Sequence, residues 1–284
     1  MTQKWEPFFG RADQSNDQSE EGCISSHKFT LVADKTKMKV VVTGASGLLG
    51  RQVFAEFSSL PSCSVVGLGF SRASTNITKL DLTDEAATVA FLNELKPDVV
   101  IHSAAQRFPD KVEKDFEAAR DLNVTVSRRL AALCSKLNAR LIYISTDYVF
   151  DGTAAPYSHL AVPKPANKYG ETKLAGELAV MEEDSSSLCL RVPVLYGPVQ
   201  DLKESALTVL LDVLKNSSSP ATLSSYEVRC PAHTGDIAKI LVDMVKKLDN
   251  LEGGVYQWSG RCLPRSEIRA LIFSGQPIII NLTF

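Results

Sequence analysis

A doubly wound α/β fold around a parallel sheet is predicted by three observations on this chain. Short apolar runs recur along it, each reading as a strand buried on both faces. Between them lie stretches with the 3.6-residue periodicity of amphipathic helices. The first apolar run ends in a glycine-rich turn that opens a helix. Further on the alternation loosens, which predicts a smaller, incomplete C-terminal lobe on the substrate side of the sheet.

The rhythm starts with KVVVT at Lys39–Thr43, a strand, followed by helical periodicity over residues 48–60 and a second strand at Ser64–Phe70. Asp84–Leu95 is an amphipathic helix whose acidic first turn suits the helix dipole. Asp98–His102 is another buried strand, and Lys111–Leu137 reads as one long helix or a helix in two parts. RLIYIS at Arg140–Ser145 is a strand, Asn167–Met181 a helix and Leu188–Leu195 a strand. Strands and helices alternating at this spacing imply right-handed βαβ crossovers. From about residue 197 the signals weaken: Ser205–Leu214 and Thr234–Leu248 look helical and Gly253–Trp258 strand-like, with Trp258 packing in the smaller lobe. No repeat is visible.

Composition narrows the function classes. With 284 residues, 44% of them hydrophobic, the chain buries a full core. A net charge of −2 without a long basic run argues against a nucleic-acid or membrane-surface partner. No apolar stretch nears the roughly 20 residues that span a bilayer. The stretch 1–37 is polar, rich in Gln, Asp, Ser and Glu, and without an apolar signal segment, so it reads as a disordered extension and the setting as cytoplasmic. Six cysteines are scattered without a C-x-x-C pair and read as ordinary thiols. No His, Cys or Asp cluster has metal-ligand spacing, so no metal is expected. His102 reads as a satisfied core residue, and Asp236 as the residue that caps or orients the helix after His233.

Directly after the first strand stands Thr43-Gly44-Ala45-Ser46-Gly47-Leu48-Leu49-Gly50. Such glycines allow a sharp turn, a close approach of backbone to a pyrophosphate, and tight packing of helix on strand. The helix N-terminus adds amide donors and the positive end of its dipole. Glycine also serves ordinary turns, but a buried strand before and an amphipathic helix after make this a Rossmann-type dinucleotide loop. NAD-preferring sites place an acid about 20 residues on, at the end of the second strand, whereas an arginine accommodates a 2′-phosphate. Here the strand ends Gly69-Phe70-Ser71-Arg72, without Asp or Glu. Arg72 is the candidate 2′-phosphate ligand and NADP(H) the expected cofactor; the bland alternative is a solvated surface arginine. Asp81-Leu82 falls where an adenine contact belongs. Residues 38–270 therefore read as the NAD(P)-binding domain, with its C-terminal lobe from about 197, and 271–284 as an atypical apolar tail.

Tyr169 and Lys173 stand four apart, on one face of a helix. A cation beside a phenol lowers its pKa and fits it to donate a proton to a carbonyl that receives hydride. The preceding strand ends Ser145-Thr146-Asp147, which offers a hydroxyl to the same carbonyl. In this order the three motifs resemble the extended short-chain dehydrogenases/reductases. That resemblance implies catalytic positions at Thr146, Tyr169 and Lys173, working or vestigial, and a structural or proton-relay role for Asn123.

STDYVFDG at 145–152 and YGETKLAGE at 169–177 narrow the resemblance to the dTDP-4-dehydrorhamnose reductase branch. The branch holds bacterial sugar-nucleotide reductases and the beta regulatory subunits of methionine adenosyltransferase. LRVPVLYG at 190–197, LKESALTV at 202–209, AAQRFPD at 104–110 and YQWSG at 256–260 are similar to the regulatory subunits. The tryptophan that the reductases carry at the strand end is missing at Val194-Leu195. By this resemblance, NADP contacts are implied at Ser46, Gly47, Leu48 and Leu49, flanked by Thr43, Gly44 and Gly50. Others are implied at Phe70, Ser71 and Arg72, at Asp81 and Leu82, and at Ser103, Arg107, Tyr169, Lys173 and Leu195. A hetero-oligomer with the methionine adenosyltransferase catalytic (alpha) subunit is implied too. After about Ala270 the chain departs from the family, whose members continue into a tail that docks on that subunit, so weaker partner binding is expected. Three functions stay open: a regulator of S-adenosylmethionine synthesis, which is preferred, a reductase of a 4-keto nucleotide sugar, and a nucleotide-gated scaffold.

Overall fold

Seven strands, all parallel, form the central sheet of the computed structural model, which describes residues 37–72, 75–209, 227–264 and 267–268. The expected extension before Lys37, the apolar tail and the helix from residue 210 onward lie outside the described residues. The strands are β1 (Met38–Thr43), β2 (Cys63–Gly69), β3 (Ile77–Lys79), β4 (Val99–His102), β5 (Arg140–Thr146) and β6 (Leu188–Val192). Four short ones follow, β7 (Leu195–Tyr196), β8 (Val228–Arg229), β9 (Ala232–His233) and β11 (Leu263–Pro264), and between the last two runs β10 (Gly254–Gln257). The order across the sheet is β10-β6-β5-β4-β1-β2-β3. The helices are α1 (Leu48–Ser58), α2 (Glu85–Leu95), α3 (Pro109–Lys114), α4 (Phe116–Arg120), α5 (Val126–Lys136), α6 (Lys168–Glu183) and α7 (Thr234–Lys246).

Successive side chains of a strand point to opposite faces, and the two faces of β1 carry separate cores. Val40 and Val42 pack with Val53 and Phe57 of α1 and with Ile237 and Leu241 of α7. Val41 packs with Leu92 of α2, Leu130 of α5 and Val180 of α6. Because both faces are covered, the strand reads as an unbroken apolar run rather than as an alternating one.

Several expectations need correction. The helix and strand assigned to a smaller lobe belong to the main layers: α7 shares its core face with α1, β10 pairs in parallel with β6, and Trp258 packs on the same core. The apolar stripe of α7 and the free edge of β6 each find cover this way. Outside the main sheet, among the described residues, lie the pairs β7–β9 and β8–β11, with Leu207, Leu263 and Ile268 packed together. The stretch over 111–137, read as one helix or as two parts, is divided further. Asp115 ends α3 and caps α4 by accepting from the Ala118 amide at 3.1 Å, and a π-helical turn at Asp121–Thr125 precedes α5. The thiol reading fails for Cys230 and Cys262, which form a disulfide. Antiparallel pairing sets Arg229 opposite Leu263, so the next positions inward face each other, a proximity that no local spacing reveals. The cap of α7 is His233, whose ring accepts from the Gly235 amide at 3.1 Å, while Asp236 sits in the first turn.

Candidate functional site

The strand order reverses direction between β1 and β4, and the loops at their carboxyl ends flank the crevice where α/β sheets bind ligands. Gly44 turns the chain there with φ of +65°, and a Cβ on it would lie 2.8 Å from the Ala104 backbone nitrogen. A Cβ on Gly50 would come within 2.1 Å of the Gly44 carbonyl, so α1 begins hard against the loop. The Thr43 hydroxyl lies 2.7 Å from His102 Nδ1, the Ser103 hydroxyl donates to the Thr43 carbonyl at 2.5 Å, and His102 Nε2 lies 3.1 Å from the Ser127 hydroxyl. Burial, helped by the charge of Lys173, drives His102 down to about 3, so it is the neutral core residue expected.

The N-terminus of α1 carries neither a side-chain cap nor an acid in its first turn, which leaves its positive end open to an anion. Gly69, at the end of β2, lies against the Ser46 side chain, and this brings Phe70–Arg72 beside the loop. The Leu80 amide donates to the Gly69 carbonyl at 2.9 Å, placing Asp81 on the same rim. Asp81 caps its own turn through the Thr83 amide and hydroxyl, at 2.9 and 2.7 Å, while the Leu82 side chain is buried in the core. Arg107, on the loop after β4, is placed 4.2 Å over the Phe108 ring. Burial lowers its pKa, opposed by Glu204 and Tyr169 and reinforced by Arg72 and Arg51. Leu195 holds its place through its carbonyl, which accepts from the Ser205 hydroxyl at 2.7 Å.

Two residues here escaped the sequence reading. Arg51 of α1 donates to both oxygens of Glu204, at 3.1 and 2.6 Å, and to the Ser46 carbonyl at 2.9 Å. Arg72 is ion-paired with the same carboxylate. Arg51 holds the Glu204 carboxyl down at about 2. A cation near a helix N-terminus opposes the dipole, which was the available hint that Arg51 had a partner. Glu204 left no local hint at all. The crevice thus sets Arg51, Arg72 and Arg107 around one carboxylate, a surplus of positive charge that favours phosphates.

On the other side, Asn167 caps α6 by accepting from the Gly170 amide at 2.8 Å and so starts the helix that carries Tyr169 and Lys173. Gly170 lets the helix approach the Tyr148 carbonyl, and Gly176 lets it approach the Tyr143 hydroxyl and the Asn123 carbonyl. The Thr146 hydroxyl lies near enough to Tyr169 to favour its phenolate, which brings two of the three sequence-predicted catalytic residues together. Lys173 projects its ammonium 3.8 Å over the Tyr143 ring. The expected lowering of the phenol does not appear: burial raises Tyr169 and drives Lys173 down to about 7. In this dry setting desolvation outweighs the groups that favour ionisation, Thr146 and Arg107 beside the phenol and Glu177 beside the amine. Asn123, in the π turn, accepts from the Gln106 amide at 2.8 Å and donates to the Gln106 carbonyl and the Thr172 hydroxyl at 3.1 and 3.0 Å. It ties the loop after β4 to the helix of Tyr169. Burial also lifts Asp147, beside Thr146, to about 6.

Among the described residues no group of three His, Cys, Asp or Glu side chains is placed to hold a metal, and no helix is long and apolar enough to cross a membrane. The tight glycine loop, the open helix end and the three guanidiniums fit a dinucleotide.

The RmlD substrate binding domain family matches residues 38–268. The beta subunit of methionine adenosyltransferase 2 from Xenopus laevis is 45% identical over 224 residues, 78% of this chain and 67% of that protein. The chain belongs to the RmlD family, in its methionine adenosyltransferase beta-subunit branch. The other side of the family is more distant: dTDP-4-dehydrorhamnose reductase from Aggregatibacter actinomycetemcomitans is 26% identical over 252 residues, 86% of this chain and 82% of that one. Among solved structures, dTDP-4-dehydrorhamnose reductase from Bacillus anthracis in complex with NADP superposes with a TM-score of 0.74. It is 26% identical, covering 86% of this chain and 83% of that chain. The RmlD assignment bears out the branch expected from STDYVFDG and YGETKLAGE, and the contrast in identity supports the beta-subunit side that LRVPVLYG and LKESALTV indicated.

Proposed function

We propose that the chain is an NADP(H)-binding regulatory subunit of methionine adenosyltransferase. It joins the catalytic (alpha) subunit in a hetero-oligomer and modulates S-adenosylmethionine synthesis in the cytoplasm. The observation that carries this reading is the 45% identity to a beta subunit across 78% of the chain. The nucleotide part is supported by the crevice itself. Thr43, Gly44, Ser46, Gly47, Leu48, Leu49 and Gly50 would receive the pyrophosphate on backbone amides and the helix end. Phe70, Ser71 and Arg72 would take the 2′-phosphate, Asp81 and Leu82 the adenine. Ser103, Arg107, Tyr169, Lys173 and Leu195 would line the nicotinamide half. When bound, such a cofactor supplies hydride to a carbonyl; in a regulatory subunit it serves as a ligand that orders the crevice.

Titrating a methionine adenosyltransferase catalytic subunit with the protein and NADP should give a complex with altered KM or kcat. Absence of a complex overturns the reading. A second reading, a reductase of a 4-keto nucleotide sugar, is favoured by the nearness of the Thr146 hydroxyl to Tyr169. Burial keeps the phenol protonated for donation to a carbonyl oxygen, with Thr146 positioned to orient the same atom. Robust NADPH oxidation by the wild type on such a sugar, abolished in Tyr169→Phe, would make this second reading the function.

NADP(H) should bind at least about tenfold more tightly than NAD(H), since a charge-assisted hydrogen bond to phosphate is worth roughly 1.5–3 kcal/mol. Calorimetry on Arg72→Ala should show that difference gone. Equal affinities in the wild type would refute the assignment of Arg72.

A further inference from the structure

We propose that Glu204 is a specificity-determining residue for the ribose 2′ position of the nucleotide, narrowing, through Arg72, the preference for a 2′-phosphate. The inference rests on the dinucleotide reading above. An acid at the end of β2 is what NAD-preferring sites use. The local sequence at Gly69–Arg72 has none, yet the fold delivers one from 132 residues further along the chain.

Glu204 is fixed on every side. Arg51 grips both its oxygens, the Gln200 amide donates to Oε2 at 3.0 Å, and Arg72 donates to Oε1. Its side chain is 6% exposed, against 46% for Arg72. The guanidinium of Arg72 therefore has one edge committed to a buried carboxylate and the other toward solvent. A 2′-phosphate must share Arg72 with this carboxylate, a cost that a 2′-hydroxyl does not meet. Because Arg51 and the Gln200 amide keep the carboxyl ionised, the competition persists at every working pH. Arg51 also touches the phosphate loop through the Ser46 carbonyl, so the carboxylate cannot be displaced without disturbing the loop.

The test is calorimetric and reads the ratio of NAD to NADP dissociation constants. Glu204→Gln keeps the shape and removes the charge; it should widen the ratio about five- to tenfold in favour of NADP while leaving NAD affinity within about twofold, the scale of one charge-assisted contact. Glu204→Asp draws the carboxylate back from Arg72 but leaves the charge beside Arg51, and should widen the ratio by less. In an Arg72→Ala background, Glu204→Gln should leave the ratio unchanged, because the effect acts through Arg72. A merely structural Glu204 would weaken both nucleotides together. That result, or a ratio that stays constant or falls in both single variants, overturns the proposal. A wild type that binds neither nucleotide instead removes the reading on which it rests.

Discussion

Lys173→Met should stabilise the folded protein at pH 7 by about 4 kcal/mol. Lys173 is 2% exposed, and burial lowers it from 10.5 to about 7, against a smaller opposing pull from Glu177. The unfolded chain holds its proton up to about pH 10.5, the folded chain only to about pH 7. Between those values the unfolded state binds more protons, so stability rises with pH across the window and the contribution is least favourable below it. A drop of that size corresponds to roughly 4–5 kcal/mol, of which slightly less is felt at pH 7 itself. Methionine fills similar space without a charge. Urea unfolding at pH 7, 8.5 and 10 should show wild-type stability rising toward that of the variant, whose own profile is flatter. Parallel profiles would refute the account. The gain should come with weaker nucleotide binding, since the proposed site has Lys173 line its nicotinamide half.

Glu177→Ala should destabilise by about 3–5 kcal/mol. Glu177 of α6 meets Arg191 of β6 in two parallel hydrogen bonds, Nε to Oε1 at 2.9 Å and Nη2 to Oε2 at 2.7 Å, with side chains 3% and 4% exposed. Removing one partner of a buried pair strands the other charge without water, a far larger cost than the net worth of the pair. Arg191 would keep the His159 carbonyl at 3.3 Å and the Phe150 ring at 5.2 Å, and neither carries a compensating charge. In a domain of this size such a loss lowers Tm by on the order of 10 °C. Scanning calorimetry on the variant is the check, and a loss under about 1 kcal/mol would show that water reaches Arg191. Replacing both residues with apolar ones of similar volume should recover most of the stability.

The alternation of VVVT, VVIH and LIYIS with helical stretches was legible because each of those strands is buried on both faces and so lacks polar interruptions. The loop from Thr43 to Gly50 was legible because its glycines answer to local contacts, the Gly44 carbonyl against Gly50 above all. Tyr169 and Thr146 could be paired because both follow strand or helix ends that the sheet brings to one rim. What could not be read depends on contacts between distant segments. Glu204 reaches Arg51 and Arg72 across the fold, and Cys230 meets Cys262 only through a two-residue antiparallel pairing. The placement of α7 and β10 was missed for a related reason: after Leu195 the chain leaves the sheet and then returns to it. Periodicity along the chain carries no information about return. The Lys173–Tyr169 electrostatics were misjudged because spacing reveals proximity but not dryness.

That return has a consequence for how the protein is made. On the ribosome β6 emerges as an apolar strand, LCLRV, whose outer edge has no neighbour until β10 is synthesised, after the whole excursion that supplies Glu204 and α7. For that interval the nascent chain presents an unpaired sheet edge together with the bare face of α1 that α7 will cover, the kind of surface on which partly made chains stick to one another. The last strand of the main sheet acts as a clasp, and translation must pass it before the crevice has a finished sheet beneath it.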